Sequence, residues 1–396
     1  MSDCIITRRD GFVTITFENY KVYLDTVNHS TPQTLYTARG SLAAASVGNY
    51  ALFAGGYTGS SYSTVVDAYS NNLVRSTPTA LSVGRRNFAG ASVGNYAIFA
   101  GGESGSGSYA ATVDAYNTSL TRYTPTALST ARELLAGASV GNYALFAGGD
   151  TGSISATVTV VDAYYTDLSR TTPTALSVQR RGLAGASVGN YALFAGGENT
   201  SRVATVDAYS TDLTRYTPTT LSTVRNWPAG ASVGNYALFA GGNSGSLSAV
   251  VDAYYTDLSR TVITSLSVAR EGVVGASIQS YALFAGGYAS SPSNVVDAYN
   301  TSLTRSIPTS LSVARYWLAG ASVGDYALFA GGYNGSSYVN TVDAYTNLIA
   351  PIYLPITAGS KYKLNSATET TAASNTILTV YMPINGYIKY KGGKFE

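Results

Sequence analysis

Along most of the chain the hydrophobic and polar positions follow one short pattern that keeps returning. Small residues alternate through Gly-Ala-Ser-Val, a Gly-Asn pair interrupts them, and the apolar stretch Tyr-Ala-Leu-Phe-Ala follows, closed by two glycines. Alternation marks a half-buried strand, and a short apolar run between turn residues marks a buried one. A two-residue Gly-Asn break is hairpin chemistry. The pattern therefore predicts an antiparallel pair, strands A and B. About ten to fifteen residues later comes Val-Asp-Ala-Tyr, read as strand C. Strand D is expected through Leu-Thr-Arg-Tyr-Thr-Pro, at an exposed edge, because proline cannot donate to a central ladder.

The closing glycine pairs begin at Gly55, Gly101, Gly148, Gly196, Gly241, Gly286 and Gly331, seven copies spaced by 45 to 48 residues. Four short strands per copy at this period is the arithmetic of a β-propeller. The fold class expected is all-β, a seven-bladed propeller. The seventh copy loses the pattern after Tyr345, while Val27–Leu35 aligns with Leu73–Leu81. The N-terminal segment is thus predicted to supply strand D of the last blade, with His29 where the other blades carry the strand-D arginine. Three segments follow: an N-terminal strand segment at 1–24, the ring at 25–347, and a C-terminal β-hairpin module at 348–396 with a hairpin at Asn385-Gly386. All six lysines lie in these flanks, so the termini read as a separate small β-module.

The double glycine closing strand B, the tyrosine of strand C and the arginine before strand A resemble kelch repeats, over roughly Val27 to Tyr345. The resemblance implies a kelch-type propeller. The strand-D tryptophan of that pattern is absent, and Leu73, Leu120, Leu168, Leu213, Leu258 and Leu303 are expected to take over its packing. The repeats resemble bacterial and phage kelch-like arrays, and the opening MSDCIITRRDGF resembles tail-associated proteins of phages infecting Firmicutes. These likenesses imply a virion or cell-surface attachment protein with its termini as anchors.

Composition narrows the chemistry. The single cysteine, Cys4, cannot form an internal disulfide, a zinc ribbon or an iron–sulfur cluster. The single histidine, His29, excludes any site needing two imidazoles, including the copper centres of kelch-type oxidases. No cofactor and no metal are expected. A net charge of +2 exerts no pull on nucleic acid, no apolar run reaches a membrane span, and Met1–Tyr20 has no apolar core of a signal peptide.

Near-identical repeats serve as their own control. Two stretches vary between copies: the B-to-C loop after each glycine pair, and the triplet after the arginine that precedes strand A. Both emerge on one face of an antiparallel blade, as a binding surface on a fixed scaffold would, although tolerant loops also drift neutrally. The aromatic residues there are Tyr57, Tyr62, Tyr288, Tyr316, Trp317, Tyr333 and Tyr338 on blades 6, 7 and 1, with Trp227 alone on blades 3 to 5. They are the expected ligand-binding residues, since aromatic side chains bury much area at low entropic cost. Arg39, Arg85, Arg132, Arg180, Arg225, Arg270 and Arg315 form either a cationic ring at the channel mouth or a repeated structural contact.

The expected function is a non-catalytic attachment protein, its partners a cell-surface glycan or protein receptor and, through the termini, other virion proteins. The expected location is the virion or extracellular surface. The alternatives are an intracellular, cytoplasmic interaction scaffold, or a sugar-processing enzyme using Glu133 or Glu271 with Arg86 and Arg181.

Overall fold

The structure, a computed structural model, describes residues 26–347 in full and, outside them, the backbone of strand segments only. Seven four-stranded antiparallel sheets form the blades of a propeller. In blade 1, strand A is Ala43–Val47, B is Tyr50–Ala54, C is Val66–Ser70 and D is Arg75–Ser76. Blades 2 to 6 repeat the order A-B-C-D. Blade 7 takes Ala319–Val323, Tyr326–Ala330 and Val342–Leu348 from the end of the repeats, and its outer strand is Tyr23–Ser30. The predicted closure is therefore present, with His29 Nε2 2.6 Å from Asp343 Oδ1.

The small residues of strand A are a consequence of crowding around the axis. A Cβ built on Gly185 would lie 2.2 Å from the carbonyl oxygen of Gly137 in the preceding blade. Outside this inner ring, apolar side chains fill the space between adjacent blades. Ala43, Val47, Leu52 and Val66 of blade 1 pack with Phe88, Phe99 and Tyr116 of blade 2, and Leu81 joins them from the connection between. Full burial of such a side chain stabilises by about 1.5–3 kcal/mol, so each inter-blade layer contributes much of the ring's cohesion.

The glycine doublets stitch one blade to the next. Gly56 N–H donates to the Arg85 carbonyl at 2.8 Å, and the series runs round to Gly332, which donates to Arg39 at 2.9 Å. Gly56 has φ +100, and a Cβ there would lie 2.7 Å from the Gly40 carbonyl oxygen. Both conformation and space demand glycine.

Strand D is shorter than the sequence suggests, two residues in blades 1 to 4 and 6. In blade 5 it runs over four residues, Arg260–Ile263. That copy reads Thr-Val-Ile-Thr where the others carry proline, so loss of an N–H donor is what cuts the ladder short. The leucines of Leu-x-Arg stand before strand D, in the turn, with φ of 60° to 68°. Leu73 and Leu120 nonetheless pack partly buried against the inter-blade cores.

Met1–Asn28 and Asn347–Glu396 make up a second compact unit. Strands Cys4–Arg9, Phe12–Phe17, Thr376–Val380 and Ile352–Ile356, in that order, form one sheet drawn from both termini. Asn385-Gly386, where a hairpin is expected, lies outside the described residues.

Candidate functional site

The seven arginines before strand A are fully buried, so they do not present a cationic ring to the channel mouth. Arg180 shows the arrangement: its Nη2 donates to the Phe194 carbonyl at 3.1 Å and to Asp207 Oδ2 at 2.8 Å. The pair recurs as Arg39–Asp67, Arg85–Asp114, Arg132–Asp162, Arg225–Asp252, Arg270–Asp297 and Arg315–Asp343, between 2.6 and 2.9 Å. Burial pulls the Arg180 guanidinium below its ordinary pKa, and the charge of Asp207 opposes it. Each pair ties the segment that leads into a blade to strands B and C of that same blade.

Function is better sought at the face that carries the variable stretches. In every blade the two stretches meet as cross-strand neighbours: Gly40 with Tyr57, Arg86 with Glu103, Glu133 with Asp150, Arg181 with Glu198, Asn226 with Asn243, Glu271 with Tyr288, and Tyr316 with Tyr333. Variation in one is thus matched by variation in the other. Blades 2 to 5 are knit by polar contacts. Arg86 Nε donates to Glu103 at 2.7 Å, Arg181 Nη1 to Asp150 at 3.0 Å, and Asn226 Nδ2 to Glu198 at 2.6 Å. Asn87 Nδ2 donates to Glu133 Oε2 at 2.9 Å. Burial raises the Glu133 pKa above the ordinary carboxylate value, the Asn87 hydrogen bond opposes this, and Glu103 and Asp150 add to it.

Blades 6, 7 and 1 carry aromatic contacts instead. Tyr288 touches Tyr316 (ring centroids 5.5 Å apart), Tyr316 touches Trp317 (4.5 Å) and Tyr333 (5.7 Å), and Tyr333 touches Tyr338 (5.0 Å). Tyr338 then meets Tyr57 at 5.8 Å, and Tyr57 meets Tyr62 at 5.4 Å. Seven of the eight aromatic residues singled out from sequence form one continuous chain of rings. Arg86 ends it, its guanidinium 5.1 Å from the Tyr57 ring centroid and 5.6 Å from that of Tyr62.

The eighth residue, Trp227, stands apart from that chain but borders the same cavity. The cavity measures about 640 Å³ and also takes in Trp317, Tyr316, Tyr288, Tyr338, Glu271 and Arg86. A second concavity of about 660 Å³ shares Tyr316, Trp317 and Tyr338 with the first. These three side chains form the wall between two hollows.

The backbone beneath sets the two tryptophans at a repeated left-handed position. The middle residue of each triplet is left-handed: Ser41, Asn87, Leu134, Trp227 and Trp317 have φ of 52° to 56°, and Gly182 and Gly272 have 58° and 59°. Five of them donate N–H to the equivalent carbonyl one blade back, from Ser41 to Trp317 (2.8 Å) through to Trp227 to Gly182 (2.8 Å). Among the described residues, the two steps flanking Gly272 carry no such bond, and a Cβ at Gly272 would meet nothing within 4 Å. The girdle is thus open between the two tryptophans. A bulky residue with φ > 0 costs about 1–3 kcal/mol and persists where its surroundings hold it. Trp227 is seated over Gly182, where a Cβ would lie 3.2 Å from the indole.

The sequence reading missed the cavity's polar members, Arg86 and Glu271, as partners of the aromatic residues. Their position in the same variable triplets was the available signal.

No protein-family model and no curated protein matches the chain. Among solved structures, one described as the structure of YjhT is similar over 78% of this chain and 99% of its own, with a TM-score of 0.53 and 11% identity. At that identity the likeness shows the propeller fold alone. Matches extend to 589 solved chains, so the architecture by itself distinguishes no function.

Proposed function

We propose that this propeller is a non-catalytic attachment protein that binds a cell-surface glycan or protein receptor at the mouth of its channel. The observation that carries the reading is the unbroken chain of rings from Tyr288 to Tyr62 walling two adjacent hollows, with Arg86 and Glu271 as polar groups at its margin. Large apolar surfaces with a few placed polar groups suit a ligand that stacks and is then oriented by hydrogen bonds. The likeness of the repeats to kelch-type arrays, and of the opening residues to phage tail-associated proteins, supports a virion or cell-surface setting with the termini as anchors.

A glycan-array and cell-binding screen of the full chain tests this. Binding lost in the Trp317→Ala, Tyr333→Ala double variant supports the mouth as the site, and binding that survives places it elsewhere. A sugar-processing enzyme is the second reading, favoured by Glu271 on the cavity wall and by the raised pKa of Glu133. Turnover of a glycan that disappears in Glu133→Gln or Glu271→Gln would decide for it.

A further inference from the structure

The opposite face, where the A-to-B and C-to-D turns emerge, carries a second aromatic series. In blades 2 to 5 the first tyrosine of strand B meets another ring: Tyr96 with Tyr123 (5.7 Å), Tyr143 with Tyr165 (5.2 Å), Tyr191 with Tyr216 (5.7 Å) and Tyr236 with Tyr255 (5.2 Å). The second ring comes from two different places. In blades 2 and 4 it belongs to strand D and stands edge-on, at 89° and 87°. In blades 3 and 5 it is the last residue of strand C and is tilted, at 57° and 52°. When one position is tyrosine the other is Asn117, Thr171, Ser210 or Thr261.

This exchange shows that the pairing, and not either position, is what the four blades have in common. The fold does not require it. Blade 1 has Ser70 and Ser76 at the two positions and blade 6 has Asn300 and Ser306, and both form the same sheet. The second tyrosines remain open to solvent, with Tyr123, Tyr165, Tyr216 and Tyr255 exposed by 41, 36, 44 and 37%. In blade 5, Tyr236 and Tyr255 border a hollow of about 290 Å³ together with Ser259, Arg260 and Thr261. The Arg260 side chain bonds Asp252 at 2.8 Å and is still 21% exposed, which leaves part of this cation at the hollow.

We propose that the four tyrosine pairs are equivalent binding sites for the pyranose rings of a repeating polysaccharide. A tyrosine offers an apolar face to the C–H groups of a sugar and a hydroxyl to its polar edge. The hollow suits one ring-sized group, and four like sites suit a ligand whose chemistry repeats. Their spacing is fixed by the turns between them. A Cβ at Gly94, Gly141 or Gly189 would lie 2.9 to 3.0 Å from Thr166, Thr211 or Thr256 of the following blade. Sites that are weak singly gain about 10²–10⁴-fold when a fixed frame lets one ligand engage several. This proposal is independent of any ligand at the channel mouth.

The test is affinity electrophoresis of the full chain through gels containing cellulose, chitin, starch or mannan. The expected result is retardation by at least one polymer, reduced severalfold by Tyr255→Ser and about 100-fold when Tyr123, Tyr165, Tyr216 and Tyr255 are all changed to serine, the residue blade 1 carries. Ile307→Ser, at an exposed position of blade 6 outside both aromatic series, should leave the retardation unchanged. Retardation by none of the four polymers overturns the proposal, as does a fourfold variant that behaves like the parent. If that variant fails to fold, tyrosine nitration of the unaltered protein with and without polymer decides. Protection of Tyr123, Tyr165, Tyr216 and Tyr255 supports the proposal, and protection confined to Tyr316 and Tyr333 overturns it.

Discussion

His29 and Asp343 stand 314 residues apart in sequence and 2.6 Å apart in space, where the N-terminal strand completes blade 7. Asp343 also receives Arg315 Nη2 at 2.6 Å, so one buried carboxylate joins both ends of the ring. In blades 1 to 6 the place of His29 is taken by an arginine, as in Arg75 beside Asp67 at 2.9 Å. His29→Arg should therefore preserve the melting temperature, while His29→Ala should cost about 1.5–3 kcal/mol, the range for a hydrogen bond to a charged group. Thermal unfolding of the two variants checks this, and equal losses would show that the closure does not depend on the contact.

Acid should loosen the same junction. Burial pushes the Asp343 carboxyl up, but Arg315, the Ser312 N–H and His29 outweigh it and hold the group below its ordinary value. A depressed folded-state pKa gives stability that is complete above the unfolded carboxylate value and is lost as pH falls through the folded one. Asp343→Asn should lower stability at pH 7, and its deficit against the parent should shrink as the pH is taken below about 4. A deficit that is constant with pH would mean that the charge is not involved.

Glu133 carries the opposite sign. Its pKa is raised, chiefly by burial, so folding disfavours its ionised form. Glu133→Gln should be slightly more stable than the parent at pH 7, with the gain vanishing once both forms are neutral at low pH. Glutamine also keeps an acceptor for Asn87. A lower melting temperature at pH 7 would contradict the assignment.

Strand A of blade 4 should not tolerate a methyl group at Gly185. Gly185→Ala places a Cβ 2.2 Å from the Gly137 backbone carbonyl oxygen, so the neighbouring strand must shift, and a loss of about 1–3 kcal/mol is expected. Denaturant unfolding measures it. A neutral result would show that blade 4 can take an alanine there, as blade 1 does with Ala44 at the equivalent position.

At the mouth, stability and binding should part company. Trp317 holds φ 56° where blades 4 and 6 use Gly182 and Gly272. Trp317→Gly relieves that conformation, so its melting temperature should be no lower than the parent's while binding at the mouth is lost. A clear fall in stability would show that the indole is there for packing.

The blade count, the strand order, the closure by Val27–Leu35 and the placing of His29 at the strand-D arginine position were legible in the chain because each copy repeats the same local pattern. The shortening of strand D by proline was legible in principle. It needed only a comparison of blade 5 with its neighbours. The aromatic residues of the candidate site could be named from sequence because they interrupt an otherwise constant block. That Arg86 lies against Tyr57 and Tyr62 could not, since it pairs with Glu103 in blade 2 and reaches the two blade 1 rings only through the packing of neighbouring blades.

The repeat, with its small residues, glycine pairs and edge prolines, determined by itself that the chain forms seven four-stranded blades, because strand period and turn chemistry are local properties. Tertiary structure decided what the charges and rings do. The arginines read from sequence as a possible cationic mouth are withdrawn into the blades, since their aspartates lie on a strand that only folding brings alongside. It also decided that seven aromatic residues from three blades touch in a single line, and that tyrosines from two different strand positions make the same pair. Such contacts depend on distances across blade boundaries, which no local pattern encodes.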